Sequence, residues 1–76
     1  VIDHKWIEDS EFLYILDSVL YPKEMKSRFV VNHHWQEGWQ TCIQNENEEI
    51  IVLKNNATRE MAKVYAYRLL RELERS

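Results

Sequence analysis

ATREMAKVYAYRLLRELER, residues 57–75, is the stretch on which the reading of this chain turns. At about 100° per residue, Met61, Ala62, Tyr65, Ala66, Leu69 and Leu73 fall on one apolar face, the pattern of a helix resting on a core. Most of its residues are good helix formers and neither Gly nor Pro interrupts it. Asn55, Asn56 or Thr58 supplies the cap.

Upstream lies a strand pattern. Residues 28–35 alternate, with Phe29, Val31, His33 and Trp35 on one side and Arg28, Val30, Asn32 and His34 on the other. Gln36-Glu37-Gly38 reads as a three-residue hairpin loop, its glycine where a left-handed residue is needed. Residues 39–44 form the return strand, with Trp35 expected opposite Trp39, His33 opposite Thr41 and Val31 opposite Ile43. Asn45-Glu46-Asn47-Glu48 is a polar turn. Glu49–Lys54 supplies a third strand, whose unbroken Ile50-Ile51-Val52-Leu53 predicts burial on both sides or cover from a partner.

Towards the N-terminus, Trp6 and Ile7 read as anchors. Asp9 or Ser10 is a good N-cap, and Phe12, Ile15, Leu16, Val19 and Leu20 recur at helical spacing until Pro22. A first helix is therefore expected there. The predicted fold is α+β: helix, three-stranded antiparallel sheet, helix, both helices on one face, in a single domain over residues 1–76. The other face, with Val30, Asn32, His34, Gln40 and Cys42, is expected to meet solvent or a partner.

Composition narrows the function. The 76 residues carry 45% hydrophobic side chains, one Gly, one Pro and one Cys, so a small core is feasible without a disulfide framework. The lone Cys42 suits a reducing, cytoplasmic compartment. No apolar run has the length of a membrane span. The net charge of −3 disfavours non-specific nucleic-acid binding, though not a local basic patch.

Catalysis and cofactors find little support. One glycine cannot build a phosphate loop, and no Cys-x-x-Cys or His-x-x-x-His spacing exists, so no metal or cofactor is expected. Adjacent His33 and His34 point to opposite faces of a strand. His34 and Cys42 approach diagonally in the expected register, but nothing nearby lowers the thiol pKa. The chain reads as a non-enzyme.

Binding residues are easier to nominate. Arg68, Arg71 and Arg75, with Tyr67 and Val64, lie on the side of the last helix away from its core stripe. That arrangement suits phosphate or an acidic protein surface, while Glu60, Glu72 and Glu74 are placed for intrahelical pairs instead. Lys54, Arg59 and Lys63 gather at the start of the same helix. Trp35 and Trp39 either brace the hairpin or form a contact surface with Glu37.

The element order over residues 9–75, with Thr58-Arg59-Glu60-Met61-Ala62-Lys63, resembles the double-stranded-RNA-binding domain and its Ser-Lys-Lys-x-Ala-Lys signature. The resemblance implies that Arg59 and Lys63 contact phosphates while Ala62 and Ala66 pack on the sheet. Glu60 departs from it at a basic position, as do Asn55 and Asn56 at glycine positions and the short loop 36–38.

Two functions follow as expectations. The first is a non-catalytic protein-binding module, a small regulator, inhibitor or adaptor, whose acidic Glu46, Glu48 and Glu49 suit the basic surface of a nucleic-acid-handling protein. The alternative is a degenerate duplex-RNA-binding module using Lys54, Arg59 and Lys63. Self-association through the third strand is a further expectation, because its open edge would otherwise need covering.

Overall fold

The computed structural model describes residues 4–18, 21 and 25–75. Among these residues five strands, β1 (His4–Ser10), β2 (Leu13–Ser18), β3 (Arg28–His34), β4 (Gly38–Gln44) and β5 (Ile50–Asn56), precede one helix, α1 (Arg59–Arg75). The strands form one antiparallel meander in the order β1-β2-β3-β4-β5, and α1 packs on β3, β4 and β5. The class is α+β, but the helix–three strands–helix order with two helices on one face is wrong: the expected first helix is a β-hairpin.

The physical reason lies in an ambivalent segment. Tyr14 and Leu16 point to the α1 side and Leu13 and Ile15 to the other, an alternation that coexists with the helical spacing of Phe12, Ile15 and Leu16. Phe, Tyr and Ile carry weak helix propensity, and so short a helix is marginal without packing. Ser10, expected as an N-cap, spends its hydroxyl on the turn, accepting the Phe12 N–H at 3.2 Å. The Phe12 carbonyl then accepts the His33 N–H at 2.9 Å, tying the turn to β3. Val19 and Leu20, assigned to the same helix, and Pro22, expected to end it, lie outside the described residues.

The β3–β4 hairpin forms as expected, with its register displaced by two residues. His34 pairs with Gly38, His33 with Trp39, Val31 with Thr41 and Phe29 with Ile43. Trp35, Gln36 and Glu37 make the turn, and Gly38 follows it at φ 82°. The His34 Nδ1 accepts the N–H groups of Gln36 and Glu37, each at 3.2 Å, which holds Trp35 in the turn rather than opposite Trp39. A slip of two leaves every side chain on its expected face.

The next turn is built on Asn45, whose Oδ1 accepts from the Asn47 and Glu49 N–H groups at 2.9 and 3.0 Å. Along β4–β5, Thr41 pairs with Lys54 and Cys42 with Val52, so Leu53 is an extra residue in a bulge. Leu53 and Lys54 consequently both reach the α1 side. Asn55 and Asn56, expected as turn residues, belong to β5.

The core lies between sheet and helix. Leu16, Phe29, Ala66 and Leu70 form one buried cluster, joined by half-buried Trp6, Tyr21 and Met25. Tyr14, Val31 and Ala62 form a second, with Trp39 against it. Burying a side chain such as Phe29 or Leu70 stabilises by about 1.5–3 kcal/mol. The buried stripe of α1 is Ala62-Ala66-Leu70, whereas Met61 and Leu73 are exposed. Small residues let α1 come close enough for the Thr41 hydroxyl to donate to the Ala62 carbonyl at 2.8 Å. The same hydroxyl accepts from Asn56 Nδ2 at 3.1 Å, so one buried relay joins β5, β4 and α1. Thr58 is the cap, its Oγ1 accepting the Met61 N–H at 3.2 Å.

On the opposite face, Ile7, Ile15, Val30, Cys42 and Val52 form one cross-strand row. Val30, Cys42 and Gln40, expected at a solvated or docking face, are buried. Polar groups there pair along the sheet: Cys42 Sγ with Asn32 Oδ1 at 3.2 Å, and Gln40 Nε2 donating to Asn55 Oδ1 at 3.1 Å. No described helix is long and apolar enough to cross a membrane.

Candidate functional site

The residues nominated from the sequence separate into three places. At the β3–β4 tip, Trp35 is 80% exposed, its ring stacked on His34 at 6.2 Å between centroids. Glu37 accepts from Asn55 Nδ2 at 3.3 Å, which braces the tip against β5. Trp39 is a different matter. It is half-buried on the α1 side, 4.9 Å from His33 and 6.2 Å from Tyr14, and serves the core rather than the tip.

The cationic cluster is divided by α1. On the β2 side, Arg59 Nη1 donates to the Tyr14 hydroxyl at 2.9 Å, with its guanidinium 5.2 Å from the ring centroid. Lys63 sits 4.9 Å from the same ring and 5.3 Å from that of Trp6. Donating this hydrogen bond to Tyr14 raises the Arg59 pKa further, holding it charged. On the β5 side, Lys54 lies 4.8 Å over Tyr65. These cations thus have aromatic partners within the fold. Tyr14 is the functional neighbour that sequence reasoning missed; it lies 45 residues from Arg59, and no local pattern links them.

The third place is the outer side of α1. Val64, Tyr67, Arg68, Arg71, Glu72 and Arg75 line a shallow depression of about 380 Å³. Tyr67 is half-buried rather than turned outward: its ring is 5.8 Å from Trp6, and its hydroxyl accepts from the Trp6 indole N–H. It forms a fixed wall. Arg68, Arg71 and Arg75 are exposed, and none of them makes an ion pair among the described residues, where the pairs are Lys26–Glu46 and Arg59–Glu60. Val64 stands beside them at 59% exposure. One face of α1 therefore presents three guanidinium groups beside Val64, Tyr67 and the Glu72 carboxylate.

Cys42 and His34 do not meet. The actual register places Cys42 opposite Val30, four positions along β3 from His34, roughly 13 Å of strand. Among the described residues no three of His, Cys, Asp and Glu come together as a metal-binding group. Burial pushes the Cys42 thiol up from 9.0 to about 11, and chiefly burial pushes Tyr21 up from 10.0 to about 12. The Tyr21 hydroxyl donates to the Leu16 carbonyl at 2.7 Å and accepts the Phe29 N–H at 2.9 Å. Both groups are neutral when protonated, so above pH 9 the unfolded chain loses its protons first and stability falls. Melting temperature is expected to decline from pH 9 through pH 11 as Cys42 contributes, and further towards pH 12 as Tyr21 does. Cys42→Ala should remove the earlier part of this slope. A wild-type curve flat across that range would refute the burial of the thiol. In the native state Cys42 is also expected to react slowly with a thiol reagent, and rapidly once unfolded.

No protein-family model, curated protein or solved structure matches this chain.

Proposed function

We propose that this chain is a non-catalytic protein-binding module, a small regulator, inhibitor or adaptor, which engages an acidic partner surface through Arg68, Arg71 and Arg75. The observation that carries this reading is the set of three exposed arginines, unpaired among the described residues, around Val64 on one helix face. Arginine presents a planar fork of donors that matches carboxylates bidentately, and it is weakly hydrated enough to desolvate at an interface. Protein interfaces are enriched in arginine beside aromatic and apolar groups, and Tyr67 supplies a pre-ordered aromatic wall. Trp35 at the β3–β4 tip provides a second anchor of the type that dominates binding energies.

Duplex RNA is the competing ligand. Arg59 and Lys63, the positions its recognition would use, already engage Tyr14 and Trp6, and the net charge of −3 opposes approach to phosphate. Affinity capture with the tagged chain is expected to retain a partner in stoichiometric amount. Arg68→Glu/Arg71→Glu/Arg75→Glu should weaken that complex at least about tenfold, and Arg59→Ala/Lys63→Ala should leave it intact. The reading fails if the triple variant captures the same partner equally well. It also fails if the chain binds duplex RNA at low salt, steeply lost as salt rises and dependent on Arg59 and Lys63.

A further inference from the structure

β5 is the last strand of the meander, so one of its edges has no neighbouring strand among the described residues. It carries four consecutive apolar residues, Ile50, Ile51, Val52 and Leu53, exposed at 42, 56, 45 and 39% respectively. The expectation that this run would be buried on both sides is not met within a single copy of the chain. Beside it, between β5 and α1, Phe29, Leu53, Tyr65, Leu69 and Leu73 help to line an apolar groove of about 500 Å³. A flat, apolar strand edge in water is a template for pairing, and proteins normally blunt such edges with charge, proline or a bulge. The edge at the other end of the sheet is blunted. β1 carries exposed Glu8 and Asp9, and its register breaks between Glu8 and Ser10. The bulge in β5 comes only at Leu53, so Ile50, Ile51 and Val52 form a regular strand segment ahead of it.

We infer that β5 is a homodimerisation edge, occupied by the antiparallel β5 of a second copy of this chain. The apolar quartet is bracketed by Glu48 and Glu49 at one end and Lys54 at the other. Antiparallel pairing of two copies sets the acidic end of each against the basic end of the other, whereas parallel pairing would set like against like. A register centred on Ile51 pairs Ile51 with its own copy, Ile50 with Val52 and Glu49 with Leu53. Those direct partners share a face, and Lys54 then lies beside Glu48 and Glu49 of the other copy. The two-fold axis stands perpendicular to the sheet. Both helices therefore lie on one side, and the two grooves abut across the axis, where Ile51, Leu53 and Leu73 of the two copies close them together. The groove matters because strand pairing alone is small against the roughly 1,200 Å² that a stable interface buries. An isologous contact of this kind closes at two copies. Pairing of β5 with β1 of the next copy would propagate without limit, and the charged, bulged β1 opposes it.

This surface is separate from the arginine face of α1, so either proposal can fail alone. Sedimentation equilibrium of the purified chain at high micromolar concentration is expected to give twice the 9.3 kDa chain mass. Ile51→Lys, which brings two ammonium groups together on the axis, should weaken association at least about a hundredfold with an unchanged circular dichroism spectrum, since the site is exposed. Lys54→Glu alone should weaken it about tenfold, and adding Glu48→Lys and Glu49→Lys should restore it, a rescue that loss of folding cannot mimic. A wild-type chain that stays monomeric at the highest soluble concentration would overturn the inference. So would a dimer indifferent to Ile51→Lys, or an open-ended series of oligomers.

Discussion

Phe29→Ala is expected to leave the chain largely unfolded or close to it at 25 °C. Phe29 is 1% exposed and packs with Leu16, Ala66 and Leu70 beneath α1, its ring stacked on Tyr21 at 6.1 Å. Truncation of a buried phenylalanine costs about 3–5 kcal/mol in lost transfer energy and residual cavity. Net stabilities run at roughly 0.05–0.15 kcal/mol per residue, so for a chain of 76 residues the loss is comparable to the whole. The effect spreads because the Phe29 N–H is also the donor to the Tyr21 hydroxyl. Urea unfolding followed by circular dichroism should show the midpoint moved to or near zero denaturant. Phe29→Leu, which keeps most of the volume, should lose under about 1.5 kcal/mol. If Phe29→Ala cost less than about 1 kcal/mol, the core under α1 would not be closed as described.

Gly38→Ala should be the most damaging conservative change outside the core. At φ 82° the residue occupies the left-handed region, and a Cβ there would stand 2.7 Å from the Asn56 carbonyl oxygen, a backbone atom of β5. Neither side can yield easily, because Asn56 is held by its own side chain to the Trp39 carbonyl and the Thr41 hydroxyl. Strain of this kind costs of order 1–3 kcal/mol, about 10 °C in melting temperature for a domain of this size. Gly38→Asn separates the two causes. Asparagine tolerates the left-handed backbone but carries the same Cβ, so it should lose nearly as much as alanine. If Gly38→Asn were close to wild type while Gly38→Ala was not, dihedral strain alone would be responsible and the close approach of β5 would be wrong.

How much of the site was legible follows from the range of each signal. The exposed arginine side of α1 was readable because a 3.6-residue period places Arg68, Arg71 and Arg75 together from sequence alone. Trp35, expected in the strand opposite Trp39, stands in the turn instead and is exposed. Trp39, offered as either a brace for the hairpin or a contact surface, is half-buried against the core. Its burial depends on Tyr14 and Ala62, which the hairpin does not contain. The basic cluster was misread for the same kind of reason: Lys54 and Lys63 are near in sequence, yet α1 lies between them, and each points to a different aromatic ring.

Three features were settled within short windows of the chain: α1 by its apolar period, the β3–β4 hairpin by alternation around Gly38, and the Asn45 turn by its side-chain acceptor. Each depends on interactions among residues a few positions apart, so the local sequence is enough to specify it. The β1–β2 segment was not settled in this way, since Phe12, Ile15 and Leu16 fit a helix while Leu13 to Leu16 also alternate. Docking against β3, a partner 15 or more residues distant in sequence, selected the strand. It did so because the free energy of sheet pairing and burial exceeds the few tenths of a kcal/mol per residue by which helix propensities differ.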